Sequence, residues 1–331
     1  IGSEVGYDSA GSGALQPGEQ RVVGLAGLPG DATSALVLVT TREGSKKGKL
    51  RLGAADKDPT ALFSFPKRAA RSAALTMVYR LCQDRLWAPE GTLAREYLHT
   101  RGLADDAIRD LELGLYPAAS DVRKMLSAAG HQTNRNTGVD SALEGYITFP
   151  WRDDAGRPLT IYGRWPAKEA PQGKPKTYAQ PGENSKRSPL YFDRVIRAGH
   201  DTVVLVEGVI DAAVLQSLGQ TDVAAYVGAR PSFAQHATLA RHKITSATIC
   251  PDPDAGGDSG ILSFLKNLPH TIRPYVAPRL PDDTDPDEFV LANGIDAWRA
   301  HIGRSVRGWQ YLAERVLQQH DLSGDRGKDE D

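Results

Sequence analysis

The stretch Val203-Val204-Leu205-Val206-Glu207-Gly208-Val209-Ile210-Asp211 decides how the chain is read. Four consecutive aliphatic residues make a short strand of the fully buried type. From Val209 to Leu218 the apolar residues continue at helical spacing, so strand passes into helix at Glu207-Gly208. The alternation then repeats. Val223 to Val227 reads as a strand and Ser232 to Arg241 as a helix. Ala247 to Cys250 is a strand and Gly257 to Leu268 a helix; Thr271 to Val276 is a last strand, with helices after Pro286. Strands separated by helices pair in parallel through crossovers. The fold class is α/β here, and mixed α+β over the whole chain.

Residues that follow parallel strands share one sheet edge, the carboxyl edge, where ligands bind in open α/β folds. Glu207 follows the first strand, and Asp252 and Asp254 follow the third. Asp282, Asp283, Asp285 and Asp287 follow the fourth. Asp211 lies one helical turn beyond Glu207, on the same face. Carboxylates distant in sequence are thus expected to converge, and like charges repel unless neutralised. An all-oxygen donor set favours Mg²⁺ or Mn²⁺ over zinc. A lone Asp-x-Asp is more often a turn. Asp285 and Asp287 flank Pro286 at a first helical position, where capping is an alternative role. Three acidic elements placed after parallel strands favour metal binding.

The upstream half has a different texture. Residues 1–20 are Gly- and Ser-rich and read as loose. Leu36 to Thr40 and Lys49 to Leu52 read as strands joined by a turn at Gly44 to Gly48, which makes Lys46, Lys47 and Lys49 a solvated turn. Helices are expected from about Ser72, from Gly91 to Thr100 with a stop at Gly102, and from Ala104 to Leu111. Tyr146 to Trp151 and Leu159 to Trp165 form a hairpin around Asp153-Asp154-Ala155-Gly156. Residues 166–189 read as a polar loop. The expected divisions are 1–70, 71–200, 201–292 and 293–331: a loose segment with a possible small β element, a helical and hairpin subdomain with a basic loop, the parallel-sheet domain, and helices with a tail.

Composition sets the outer bounds. Lys and Arg total 40 against 41 Asp and Glu, a net charge of −1, which at first argues against a polyanionic partner. The sum hides distribution. Between Phe149 and Gly199 lie ten cations and five acids, interspersed with Trp165, Tyr178 and Tyr191. Cations with aromatics suit a single-stranded nucleic acid: phosphate neutralisation plus base stacking. The plain alternative is a solvated loop. Two cysteines, Cys82 and Cys250, cannot build a disulfide scaffold or a Cys-rich zinc site, and both read as core. No apolar run approaches the roughly 18 residues of a membrane span, and no secretory signal appears, which together with few cysteines fits a cytoplasmic protein. His236 and His242 read as surface helix residues. Ile1 in place of an initiator methionine, and the charged end Asp321 to Asp331, read as the ends of a fragment or a processed form.

The motifs resemble a known family. Glu207-Gly208-Val209-Ile210-Asp211, Asp252-Pro253-Asp254-Ala255-Gly256-Gly257 and Leu280-Pro281-Asp282-Asp283-Thr284-Asp285-Pro286-Asp287 are similar to the three acidic motifs of a TOPRIM domain. Leu-Pro-Asp followed by Asp-Pro-Asp resembles the bacterial DnaG-type primase branch. Ala94 to Leu103, Leu113 to Pro117, Ile147 to Pro150, Gly163-Arg164 and Pro175 to Tyr178 resemble upstream blocks of that family's catalytic core. The family's zinc ribbon is absent from this chain. Ser188 to Phe192 replaces a lysine-bearing stretch, and Gly228-Ala229-Arg230 stands where the family has a Gly-Thr turn.

The resemblance implies short RNA primers made on single-stranded DNA from nucleoside triphosphates, with two or more Mg²⁺ or Mn²⁺ ions and a replicative helicase, fused or separate, as partner. It makes Asp252, Asp254 and Asp285 principal ligands and Asp211 and Asp287 secondary ones, with Glu207 a ligand or proton-transfer group. Arg164 and Lys176 become the best template or triphosphate contacts, followed by Arg152, Lys174, Tyr178, Lys186, Arg187 and Arg230. Competing readings are a metal-dependent TOPRIM nuclease of a defence or repair system and a nucleic-acid-binding module of a replication assembly.

Overall fold

The structure, a computed structural model, describes residues 21–27, 34–41, 44–51, 65–181, 187–251, 255–281 and 284–319. Two units, Ile1–Arg71 and Ser72–Asp331, divide the chain. In the first, β1 (Arg21–Gly27), β2 (Ser34–Thr41) and β3 (Gly44–Arg51) form an antiparallel sheet in that order. The expected turn at Gly44 to Gly48 is therefore strand. Pairing starts at Thr41↔Gly44, so Lys46, Lys47 and Lys49 are registered opposite Val39, Leu38 and Leu36. Backbone ladders are indifferent to side-chain charge, which is why a lysine-rich run can pair.

Helix α1 (Phe65–Trp87) opens earlier than Ser72, with Pro66 tolerated in its first turn. Ala74, Leu75, Val78, Tyr79, Cys82 and Leu86 form its buried stripe. Burial pushes the Cys82 thiol up to about 12, so it is inert packing. Next come α2 (Thr92–Thr100), α3 (Asp105–Asp110), β4 (Gly114–Leu115) and α4 (Ala119–Ala128), the last not anticipated. The expected hairpin is β5 (Ile147–Arg152) and β6 (Pro158–Arg164). It sits in an antiparallel sheet β4-β5-β6-β7 with β7 (Thr177–Ala179). The stretch read as polar loop thus supplies a strand, because the free edge of β6 needs backbone partners. Gln180 and Ser188 from the same stretch are buried.

After α5 (Phe192–Arg197) the chain follows the strand–helix alternation read from the sequence. It runs β8 (Thr202–Val206), α6 (Val209–Ser217), β9 (Val223–Ala225), α7 (Phe233–Arg241), β10 (Ser246–Ile249), α8 (Ala255–Asn267) and β11 (Arg273–Val276). Helices α9 (Pro286–Asn293) and α10 (Ile295–Ile302), strand β12 (Val306–Arg307) and helix α11 (Gly308–Gln319) follow. The sheet order is β12-β11-β10-β8-β9, parallel except for β12. The fold is α/β around this sheet and mixed α+β overall. Its crossovers bury both faces, so Val203, Val204, Leu205 and Val206 are all buried.

His236 is corrected from surface to interior: it is buried on α7, edge-on to Phe264 at 5.8 Å, and burial lowers its pKa. His242 is half-buried, with Nε2 2.6 Å from Asp154 Oδ2. Among the described residues no helix is long and apolar enough to cross a membrane.

Candidate nucleotide and metal cleft

The carboxyl edge of the parallel sheet and the loop-connected end of the β6–β7 pair share a cleft of ≈ 240 Å³. Its lining brings together Glu207, Asp211 and Asp285 from the parallel-sheet half and Arg164 and Lys176 from the β6–β7 pair, and Arg101, Tyr162, Gly208 and Gly228 line it as well. Each acidic residue arrives by topology. Glu207 is the first residue after β8, Asp211 lies in the first turn of α6, and Asp285 is the residue before α9. Arg164 ends β6, and Lys176 immediately precedes β7, where Arg164 and Thr177 are registered opposite each other.

Both walls are electrostatically crowded. Burial, then Asp287 and Glu288, raise the pKa of Asp285 against the pull of Arg101 and Lys176. Arg164 is the largest influence lowering the pKa of Lys176, followed by burial and Arg101, with Asp285 opposing. A cation relieves the first wall and an anion the second. That is the charge pattern a metal–triphosphate pair requires.

Asp287 is placed differently from its expected ligand role. Its carboxylate is fully buried and ion-paired with Arg101, whose guanidinium also lies 3.6 Å from Glu288. Its backbone N–H donates to Asp211 Oδ1 at 3.2 Å. Burial disfavours the charge on Arg101, but Asp287 foremost, with Tyr97 and Asp211, outweighs it and raises the pKa. Asp287 therefore ties α9 to α6 and to the end of α2. Gly102, at φ +81°, seats that junction: a Cβ there would lie 2.4 Å from Leu291 Cδ2. Gly208 is a second close approach: a Cβ there would lie 1.9 Å from Asp211 Oδ2 and would push that side chain aside.

The basic candidates separate. Arg152 pairs with Glu112 and donates to Gly156 O at 3.1 Å. Lys174 donates to Glu144 O at 2.8 Å and lies over the rings of Tyr146 and Trp165. Tyr178, partly buried, donates to Asp140 Oδ2 at 3.0 Å, and Tyr191 is buried and so presents no stacking face. Arg187 and Arg230 are exposed. Asp252, Asp254, Lys186, Asp282 and Asp283 lie outside the described residues. Among the described residues, no three His, Cys, Asp or Glu side chains are close enough to hold an ion. The described donors still fit a hard divalent cation in kind: carboxylate oxygens on one crowded wall, with no nitrogen or sulfur. Sequence reasoning did not single out Arg101, although it stood beside the helix stop at Gly102 and inside the block Ala94 to Leu103.

Comparison with known proteins agrees with this geometry. Residues 204–290 match the Toprim-like family. The DNA primase of Escherichia coli O6:H1 is 27% identical over 264 residues, covering 74% of this chain and 45% of the relative. The DNA primase of Pseudomonas aeruginosa is 28% identical over 255 residues, covering 72% and 38%. The chain thus spans less than half the length of these curated relatives. A structure described as the DnaG primase catalytic domain bound to ssDNA superposes with a TM-score of 0.67 at 22% identity, covering 79% of this chain and 87% of that one. A Toprim-like segment in the fold of the DnaG catalytic core is what the chain contains.

Proposed function

We propose that this chain is the catalytic core of a DNA primase, making RNA primers on a single-stranded DNA template from nucleoside triphosphates. The observation that carries the reading is the cleft itself: a carboxylate wall and a cation wall face each other within the DnaG catalytic fold. The proposed reaction is attack of a primer 3′-hydroxyl on the α-phosphorus of a nucleoside triphosphate, forming one P–O bond and releasing pyrophosphate. Glu207 with Asp252 and Asp254, supported by Asp285 and Asp211, would hold Mg²⁺ or Mn²⁺. Such ions, acting in a pair, lower the hydroxyl pKa and neutralise the leaving oxygens.

The chain's own residues do the rest. Arg164 and Lys176 neutralise the triphosphate, which relieves their mutual repulsion. Arg101 holds Asp287, and through it the first turn of α9, so Asp285 stays at the cleft wall. The buried Tyr162 lines the same cleft.

The test is incubation with single-stranded DNA, labelled ribonucleotides and Mg²⁺ or Mn²⁺. Labelled primers are expected with the chain as given, and none with Asp252→Ala plus Asp254→Ala, while single-strand binding persists. Shortening of the DNA in place of primer synthesis would establish the nuclease reading, and priming by the double variant would sink the metal assignment.

A further inference from the structure

We propose that Tyr226 is a positioning residue for Glu207, holding its carboxylate for the metal ion; this rests on the metal reading of the cleft given above. In the sequence Tyr226 lies within Val223 to Val227, read as a strand. The structure gives its hydroxyl a specific target. The ring is buried, 1% exposed, and the phenol O–H donates to Glu207 Oε2 at 3.3 Å. A buried tyrosine hydroxyl needs an acceptor, and the Glu207 carboxyl supplies one, at a distance beyond the roughly 2.5–3.0 Å usual for O–H···O. A hydrogen-bonded carboxylate has fewer orientations available when it binds a cation.

The backbone around Tyr226 is shaped for this contact. Its N–H donates to Val206 O at 3.0 Å, which carries the pairing with the β8 end past β9 itself. Val227 follows with φ +57°, a left-handed conformation that a β-branched residue rarely adopts. Its N–H donates to Glu207 O at 3.2 Å. Residue 207 is therefore held at its carboxylate by one residue and at its carbonyl by the next. Gly228, at φ +99°, then turns the chain along the cleft. Strained backbone persists where surrounding structure fixes it, and such sites cluster at functional centres.

The fixing element is α7. Gln235 is buried, and its Nε2 donates to Tyr226 O at 2.9 Å. Its Oε1 accepts from Ser232 N–H at 2.7 Å, while Ser232 Oγ accepts from Gln235 N–H at 3.2 Å, a reciprocal capping box. The amino end of α7 thus pins Tyr226, and Tyr226 pins Glu207. A tyrosine that merely filled the core would need no such alignment of its hydroxyl with a cleft carboxylate.

The experiment is Mn²⁺ binding to the full chain without nucleotide, read from the electron paramagnetic resonance of free Mn²⁺, alongside thermal melts. Tyr226→Phe keeps the ring and removes only the hydroxyl. It is expected to weaken Mn²⁺ binding about tenfold, as loss of a group that orients a metal ligand does, with the melting temperature nearly unchanged. Glu207→Gln is expected to weaken it at least as much. If Tyr226→Phe binds Mn²⁺ like the parent while Glu207→Gln does not, the positioning role is overturned and the metal reading stands. If the parent fails to bind, or Glu207→Gln binds equally well, the metal reading fails and the positioning role with it. Should Tyr226→Phe not fold, Gln235→Met replaces it: releasing the Tyr226 carbonyl should give a smaller loss in the same direction, and unchanged binding would overturn the proposal.

Discussion

The two walls of the cleft are built by different rules. On the acidic wall, position follows from topology alone: whatever follows a parallel strand lies at the carboxyl edge, whichever way the strand's own side chains alternate. On the basic wall, position depends on register. Arg164 ends an antiparallel strand and Lys176 precedes its partner, so a one-residue slip would turn both away from the cleft. The acidic wall is also braced from behind by a buried ion pair, whereas Arg164 on the facing side makes a long hydrogen bond, its Nε 3.4 Å from the Tyr97 hydroxyl. The acidic wall is therefore the rigid half, and the basic wall the half that a bound anion completes.

The largest expected effect tests that rigidity. Arg101→Ala leaves the fully buried Asp287 carboxylate without its guanidinium. Removing one partner of a buried pair costs about 3–5 kcal/mol, and the 23% exposure of Arg101 points to the lower end. Urea denaturation measures it, and adding Asp287→Asn should recover part of the loss. A cost below about 1 kcal/mol would mean the wall is not braced from Arg101, since that is the scale of a surface pair. Gly208→Ala comes next. The clashing atom is the end of the Asp211 side chain, which can swing aside, so stability changes by less than about 1 kcal/mol. The displaced carboxylate then loses its bond to the Asp287 N–H. Primer synthesis should fall about 10- to 100-fold, the usual range for disturbing a ligand's supports. Full activity would remove Asp211 from the machinery.

The same contrast explains what was legible in the sequence. The strand–helix alternation from Val203 to Val276 fixed the parallel sheet, and with it the edge that carries Glu207, Asp211 and Asp285. The ten cations between Phe149 and Gly199 were a composition, not an address. Arg152, Lys174 and Arg194 went to internal partners, Arg194 to Asp110 and Gln216, because their neighbours in space come from distant helices and loops. Arg101 was not singled out for the same reason. A cation at a helix end reads as complementing the helix dipole, and nothing local announces Asp287. The lysines of β3 misled in the opposite direction, since charge suggested a turn where the backbone simply continued to pair.

On the basic wall, Lys176→Ala and Arg152→Ala should part company. Lys176→Ala removes a cation crowded by Arg164, so stability holds while affinity for single-stranded DNA or triphosphate falls about tenfold. The salt dependence of DNA binding should flatten by about one counterion. Arg152→Ala should leave both unchanged and cost about 1 kcal/mol of stability, a modest loss because Glu112 is 45% exposed. Fluorescence anisotropy across a salt series separates the two. Equal binding losses would place Arg152 on the polyanion surface.

The smallest effect concerns the tie between the hairpin and the parallel sheet. Asp154, in the turn after β5, accepts from Arg241 Nε at 3.0 Å and Nη2 at 2.7 Å, and its Oδ2 lies 2.6 Å from His242 Nε2, both partners at the end of α7. Burial opposes its charge, but the His242 hydrogen bond and the Arg241 charge outweigh it and hold its pKa below 3.8. A carboxyl depressed on folding stabilises fully above its unfolded value and loses that contribution as pH falls through its folded one. Asp154→Asn should thus cost less than about 1 kcal/mol near neutrality, since Arg241 is largely exposed. The gap between variant and parent should close as pH drops below about 3.8, and should narrow in high salt. A gap that persists unchanged in acid would show that shape, not charge, joins the hairpin to α7. Against the buried Arg101 tie, which salt barely reaches, this surface tie should be the first to yield.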